Sequence, residues 1–545
     1  MKMMRMRLNV FILVFAMIIA GCDQEKDKDT RIVFRYNESK GISSLDPAFA
    51  RNEILIRPVS QLFCGLVEFD DLLNVRPLVA KRWSVSSNGL VYRFVLRNDV
   101  YFHDHPLFPN RIGRKVTAAD FKYSFLRVVD ARTASPGAWV FANVAFSDTS
   151  QGVKVVNDTV LQICLKQPFP AFLGLLTNAF CYVVPKEIVE YYGADFRSHP
   201  VGCGPFMFKA WREGEKLVLA KNPRYFEQDS KGRRLPYLDG VAISFIKDKQ
   251  SEFLEFVKGN IDYIEGIHPA YSNELLTRNG KLSPKYSNKF QMNICPYLNT
   301  EYLGCLVDKD LVPGSPLVDK RIRQAINYGF NREEMIRNLR NNLVTPALWG
   351  IVPKGMAGFT DTVEAYTYNP DKARRLLKEA GYPEGKGLSE ITLTTGSDYL
   401  DLCEFIQNNL AQIGVKIKIE ISTGATFRES LANYKVPFFR NSWIADYPDA
   451  ENYFSLFYSK NCSPNGANYT HFTSNKFDSL YLLAVSMTDQ QRRMKLYSQM
   501  SALLQDEAPV VPLYYGSAIR FYSKNINGLD GNPINMLKLK RVTKR

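Results

Sequence analysis

Ile391-Thr392-Leu393-Thr394-Thr395, the amphipathic run Asp401–Ile413, and Val415-Lys416-Ile417-Lys418-Ile419-Glu420-Ile421 decide the fold class. The first segment reads as a strand. The second has helical apolar spacing and is closed by Gly414, and the third alternates apolar and polar residues with a strict period of two. Strand, helix and strand in that order predict a right-handed βαβ unit on a sheet. Just upstream, Asn369-Pro370 supplies a cap and a first-turn proline for another helix. Ala373, Leu376, Leu377 and Ala380 share its inner face, and Gly381 ends it. Towards the N-terminus, Ile32–Tyr36 reads as a strand, and Val91–Arg97 puts Tyr92, Phe94 and Leu96 on one face. Thr117 with Asp120 forms a variant capping box for a helix that buries Phe121, Phe125 and Val128. The class is mixed α/β with more than one lobe.

The first residues point to export. Met1–Arg7 carries Lys2, Arg5 and Arg7 and no acid, and Leu8–Ala20 is apolar apart from Asn9. That run falls short of the about 20 residues a spanning helix needs, and it has the pattern of a secretory signal. Ile19-Ala20-Gly21-Cys22 resembles the bacterial lipobox, which implies a signal peptide over 1–21 and a diacylglycerol on Cys22. Residues 22–30 are polar and read as a tether to the membrane. Asp23 resembles the inner-membrane retention signal of some lineages.

With 545 residues, 46% of them hydrophobic, the rest is ordinary globular material long enough for several domains. The net charge of +15 raises nucleic acid as a partner, but the cations are scattered among acids and form no stripe. Only Lys538–Arg545 is densely basic; it reads as a solvated tail, with attraction to anionic lipid as a second role. Beyond Cys22, eight cysteines remain without CxxC or other tight spacing, and their pairing stays open. Cys164, Cys181 and Cys403 lie in apolar surroundings and read as core.

No HExxH, GxSxG or complete Walker loop occurs, and Gly202-Cys203-Gly204-Pro205 lacks the third glycine of a dinucleotide loop. His103-Asp104-His105 has metal-ligand residue types, but two ligands on one short loop make no site, and it reads as a solvent-facing loop. Cys203 has no neighbouring His to activate it. No catalytic residue, metal or cofactor is therefore assigned.

A series of segments runs in order along the chain: Leu45-Asp46-Pro47, Pro77–Trp83, Tyr92–Arg97, Val100–Asp104, Val116–Phe121, Gly202–Phe206, Arg321–Asn327, Asn331-Arg332-Glu333, Trp443–Asp449 and Pro509–Tyr515. Together they resemble family 5 of the bacterial extracellular solute-binding proteins, which includes oligopeptide- and dipeptide-binding lipoproteins. The resemblance implies a two-lobed periplasmic-binding-protein clamp (type II, cluster C-like) with an additional inserted domain. Domain I would combine residues 31–76, 196–298 and 512–545, domain II would be inserted at 77–195, and domain III would span 299–511. It further implies a monomer that captures short peptides and delivers them to an ABC permease and ATPase at the outer face of the membrane, with no nucleic-acid partner.

A receptor indifferent to peptide sequence must grip the amine, the backbone and the carboxylate. In peptide-binding relatives an Asp in the Trp-x-x-Asp-Tyr stretch takes the amine, and Asp446 matches it; a turn-capping Asp is the other reading. Arg440 stands where some relatives direct an Arg to the peptide carboxylate, with a salt bridge as the alternative. Gly202, Cys203 and Gly204 match a loop whose backbone pairs with the ligand, Cys203 replacing the usual Thr. Glu38, beside the first strand, adds a possible contact, although relatives place no acid there. Trp443 and Tyr447 are pocket walls or core. Nickel chelates, haem or sugars are the alternative ligands in this family, and a secreted hydrolase, an adhesin or a chaperone are the more distant rivals.

Overall fold

A computed structural model of the chain describes residues 31–146, 152–266, 268–422 and 424–545. The expected signal peptide, Cys22 and tether lie outside the described residues.

The βαβ unit forms where the sequence placed it. Strand Ile391–Thr395 leads into helix Leu400–Ala411, and strand Ile417–Ile421 returns parallel to the first, with Ile391 opposite Ile417. Gly414 makes the turn at φ 89°; a Cβ there would lie 2.2 Å from the Glu384 carbonyl oxygen, so both the conformation and the contact require glycine. The alternating burial runs from Val415 to Ile419 and then stops, because this is the edge strand and Ile421 projects past its cover. The helix at Pro370–Glu379 is capped by Asn369, whose side chain accepts from the Lys372 N–H.

These strands belong to a sheet of eleven that runs through both halves of the molecule. Its spine is the antiparallel pair Phe290–Cys305 and Val510–Ser523. One stretch of the pair, Phe290–Pro296 against Ser517–Ser523, continues into Tyr263–Glu265, Val33–Asn37 and Gly240–Ser244. The other stretch, Thr300–Gly304 against Val510–Tyr515, continues into Phe438–Ile444 and the βαβ unit. The register is interrupted between Pro296 and Thr300, opposite Gly516. The two lobes are thus joined by two strands whose ladder breaks at the crossing.

A separate four-stranded antiparallel sheet, in the order Ala80–Val85, Val91–Leu96, Val160–Cys164 and Val153–Asn157, packs under helix Ala118–Val129. Asp120 accepts from the Thr117 N–H (2.8 Å) and hydroxyl (2.9 Å). Phe94, Phe121 and Phe125 of this unit share one core with Phe34 and Val241 of the first lobe, whereas the second lobe buries two cores of its own. The architecture is a two-lobed α/β clamp with an additional sheet on the first lobe.

Three expectations are corrected. Lys538–Arg545 is not a solvated tail: Leu539 and Val542 are fully buried, Lys540 bonds Glu68 and Glu227, and Lys544 bonds Asp262. Acids far away in sequence neutralise the basic run. His103 does not face solvent; it is buried, and only its neighbours Asp104 and His105 reach the surface. Cys164 is half-buried at a strand end, while Cys181 and Cys403 are core residues.

Candidate ligand-binding cleft

A cavity of about 330 Å³ lies where the lobes meet. Helix Glu53–Leu62 and the segment Ile534–Lys540 form its first-lobe side, residues 177–179 come from the inserted unit, and Ile444, Ala445 and Asp446 come from the second lobe. Asn52 caps the helix by accepting from the Leu55 N–H.

Asp446 reaches the cavity because strand Phe438–Ile444 ends there. The last rung pairs Ile444 with Asn299, and the Ala445 N–H donates to the Leu298 carbonyl. Buried Asn452 then holds the loop: its Oδ1 accepts from the Trp443 indole (2.9 Å) and the Asp446 N–H (3.2 Å), and its Nδ2 donates to the Asp446 carboxylate (3.1 Å). No cation pairs with Asp446 among the described residues. Its carboxylate is open to the cavity but surrounded by protein, and burial raises its pKa against the weaker opposing pull of Asn452.

Apart from Arg51, the other charged side chains of the wall are matched among the described residues. Arg57 bonds Glu38 (3.1 Å), Glu53 (3.4 Å) and Glu265. Burial raises the pKa of Glu38 and Glu53 despite that arginine. Lys540 lies between Glu68 (2.8 Å) and Glu227 (2.6 Å), and Lys538 bonds Asp71 (2.8 Å).

Of the residues singled out in the sequence, only Asp446 lines this cavity. Trp443 supports it through Asn452. The Tyr447 ring is buried edge-on against Phe169 of the inserted unit, and its hydroxyl donates to Glu451. Arg440 is paired with Glu301 and lies over the Tyr399 ring, so its charge is already matched within the second lobe. Glu38 sits behind the wall, on Arg57.

Several backbone groups of the Gly202–Gly204 loop bond within the protein. The Gly204 N–H donates to the Leu62 carbonyl (2.9 Å), and the Gly202 carbonyl accepts from the His103 N–H (2.7 Å). The Gly204 carbonyl accepts from Asn222 (2.9 Å), and the Cys203 carbonyl lies 3.6 Å from the Cys64 thiol. Its glycines allow a close approach to the end of helix Glu53–Leu62. Arg51, Arg57, Asn452 and Ile534–Leu537 were missed by sequence reasoning, and Lys538–Lys540 were read as a solvated tail; nothing short of the tertiary fold unites them.

An unpaired carboxylate in a cavity between two lobes can take an ammonium group and bury it on closure. Among the described residues, no group of three or more His, Cys, Asp and Glu side chains is placed to hold a metal ion.

The chain is 28% identical over 493 residues to the glutathione-binding protein GsiB of Salmonella typhimurium, covering 89% of each. It is 26% identical over 507 residues to the dipeptide-binding protein of Escherichia coli, covering 88% of this chain and 89% of that one. The fold superposes with TM-score 0.77 on the periplasmic binding protein DppA of Helicobacter pylori in complex with the peptide STSA, at 25% identity, over 94% of this chain and 98% of that one. Residues 74–465 match the middle region of one family, and over most of its length the chain belongs to the bacterial extracellular solute-binding proteins, family 5.

Proposed function

We infer that this protein is the substrate-binding lipoprotein of an ABC importer, and that it captures short peptides by closing its lobes on their terminal ammonium at Asp446. The observation that carries this reading is the single unpaired carboxylate on the cavity wall, oriented by Asn452 and Trp443. The relatives that bind glutathione, dipeptides and STSA support peptide as the ligand class. The sequence Met1–Cys22 supports anchoring through a lipid on Cys22, with the clamp acting as a monomer outside the cytoplasmic membrane. Domain I (31–76, 196–298, 512–545), the inserted domain II (77–195) and domain III (299–511) then move about a hinge at residues 297–299 and 516.

Calorimetry with one peptide in free and N-acetylated forms tests the clamp. The free amine is expected to bind and the acetylated form not to. Asp446→Asn is expected to cost about 2–3 kcal/mol, a loss of about 30- to 150-fold, because it strands a buried ammonium. Equal affinity of the wild type for both forms would remove Asp446 from the reading.

A further inference from the structure

We propose that Arg51 receives the ligand's carboxylate, so that the cleft takes a short zwitterionic peptide with both termini free, amine on Asp446 and carboxylate on Arg51. The proposal rests on the cavity being the ligand site inferred above.

The argument is one of charge matching on the cavity wall. Arg57 is shared among three glutamates, Lys540 is held between two, and Lys538 is matched by Asp71. Glu53 and Glu68 are thereby accounted for. Two charged side chains on the wall remain without a protein partner among the described residues: Asp446 and Arg51. They have opposite sign and come from opposite lobes, Asp446 past the end of strand Phe438–Ile444 and Arg51 just ahead of the Asn52 cap of helix Glu53–Leu62. A molecule with a positive and a negative end satisfies both at once, and in doing so ties the lobes together.

Arg440, read as a carboxylate contact or a salt bridge, is committed to Glu301 and Tyr399 and lies off the cavity wall. Freeing it would strand Glu301, which is 4% exposed. The task therefore falls to a guanidinium that is still unpaired, a fork well suited to a carboxylate. Between the two termini the wall is largely apolar, with Ile56, Phe63, Phe69, Leu78 and Leu537. The volume of about 330 Å³ sits at the small end of ligand pockets, about 300–1,000 Å³. Size and lining together favour a di- or tripeptide with an apolar side chain.

The test is calorimetry of the mature protein with Ala-Leu and Ala-Leu-Ala, each as the free peptide, the N-acetyl derivative and the C-terminal amide. Amidation is expected to weaken wild-type binding about tenfold or more. Arg51→Gln should bind acid and amide equally while still rejecting the N-acetyl form, and Arg51→Lys should restore part of the preference for the acid. Arg51 is exposed and bonds nothing through its side chain, so the variants should fold, with circular dichroism as the check. If Arg51→Gln prefers the free acid by the same factor as the wild type, the proposal is overturned. Should the wild type tolerate N-acetylation yet reject the amide through Arg51, the amine reading fails and only the carboxylate half of this proposal stands. Failure of every free peptide to bind overturns both.

Discussion

Burial pushes the Asp446 carboxyl above the usual carboxylate range, with the Asn452 amide as the opposing influence. Two consequences follow by linkage. In the ligand-free protein the folded state holds its proton at higher pH than the unfolded chain does, so stability falls as pH rises from the unfolded pKa through the folded one. At neutral pH the ionised Asp446 therefore destabilises the empty clamp. Asp446→Asn is expected to raise the thermal midpoint of the ligand-free protein while removing its preference for a free amine, a trade of function against stability. For binding the sign reverses. An ammonium ligand needs the ionised carboxylate, so affinity should be level above the Asp446 pKa and decline by up to about tenfold per pH unit below it. Calorimetry from pH 7 down to pH 4 should show this decline in the wild type beyond any shown by Asp446→Asn.

At the scale of elements, the glycine loop and His103 brace the helix that walls the cavity. A Cβ at Gly202 would fall 2.1 Å from the Leu62 carbonyl oxygen, and one at Gly204 would fall 2.5 Å from the Leu62 carbonyl carbon. His103 spans the loop, its Nδ1 accepting from the Gly202 N–H (3.3 Å) and its Nε2 donating to the Gly204 carbonyl (3.0 Å), which uses the neutral ring in full. Burial depresses its pKa to about 4. The brace is therefore fully stabilising above the unfolded pKa of about 6.5, and is lost as pH falls from there towards 4, by on the order of 3 kcal/mol. Urea unfolding should show the stability gap between wild type and His103→Gln narrowing over that interval; a gap independent of pH would mean that the ring is not buried neutral. The sequence marked His103 as solvent-facing because His103-Asp104-His105 puts only two metal-type ligands on one short loop, which makes no site. What buries it is a contact with a loop 99 residues away.

For the whole molecule, two strands join the lobes, and their ladder is interrupted opposite Gly516. Tyr447 of the second lobe already rests on Phe169 of the inserted unit, 6.5 Å between ring centroids. The arrangement described is thus one in which the lobes touch around the cavity. Small-angle scattering is expected to give a smaller radius of gyration with saturating peptide than without it. Asp446→Asn at the same peptide concentration should keep the larger value. An unchanged radius at saturation would count against closure by hinge motion.

The sequence by itself determined the mixed α/β class, the βαβ unit of the second lobe and the capped helices, because periodicity, caps and turn glycines are local properties; attention to Trp443–Asp449 came from the family resemblance. Tertiary structure decided which charges are free. Lys538 and Lys540 read as a solvated run and are matched by Asp71, Glu68 and Glu227, more than 300 residues away. Arg440 read as a ligand contact or a salt bridge, and it is paired across a strand pair with Glu301. Arg51 drew no attention at all. Whether a charged side chain can meet a ligand depends on whether the fold has already given it a partner, and pairing across hundreds of residues leaves no periodic trace in the chain.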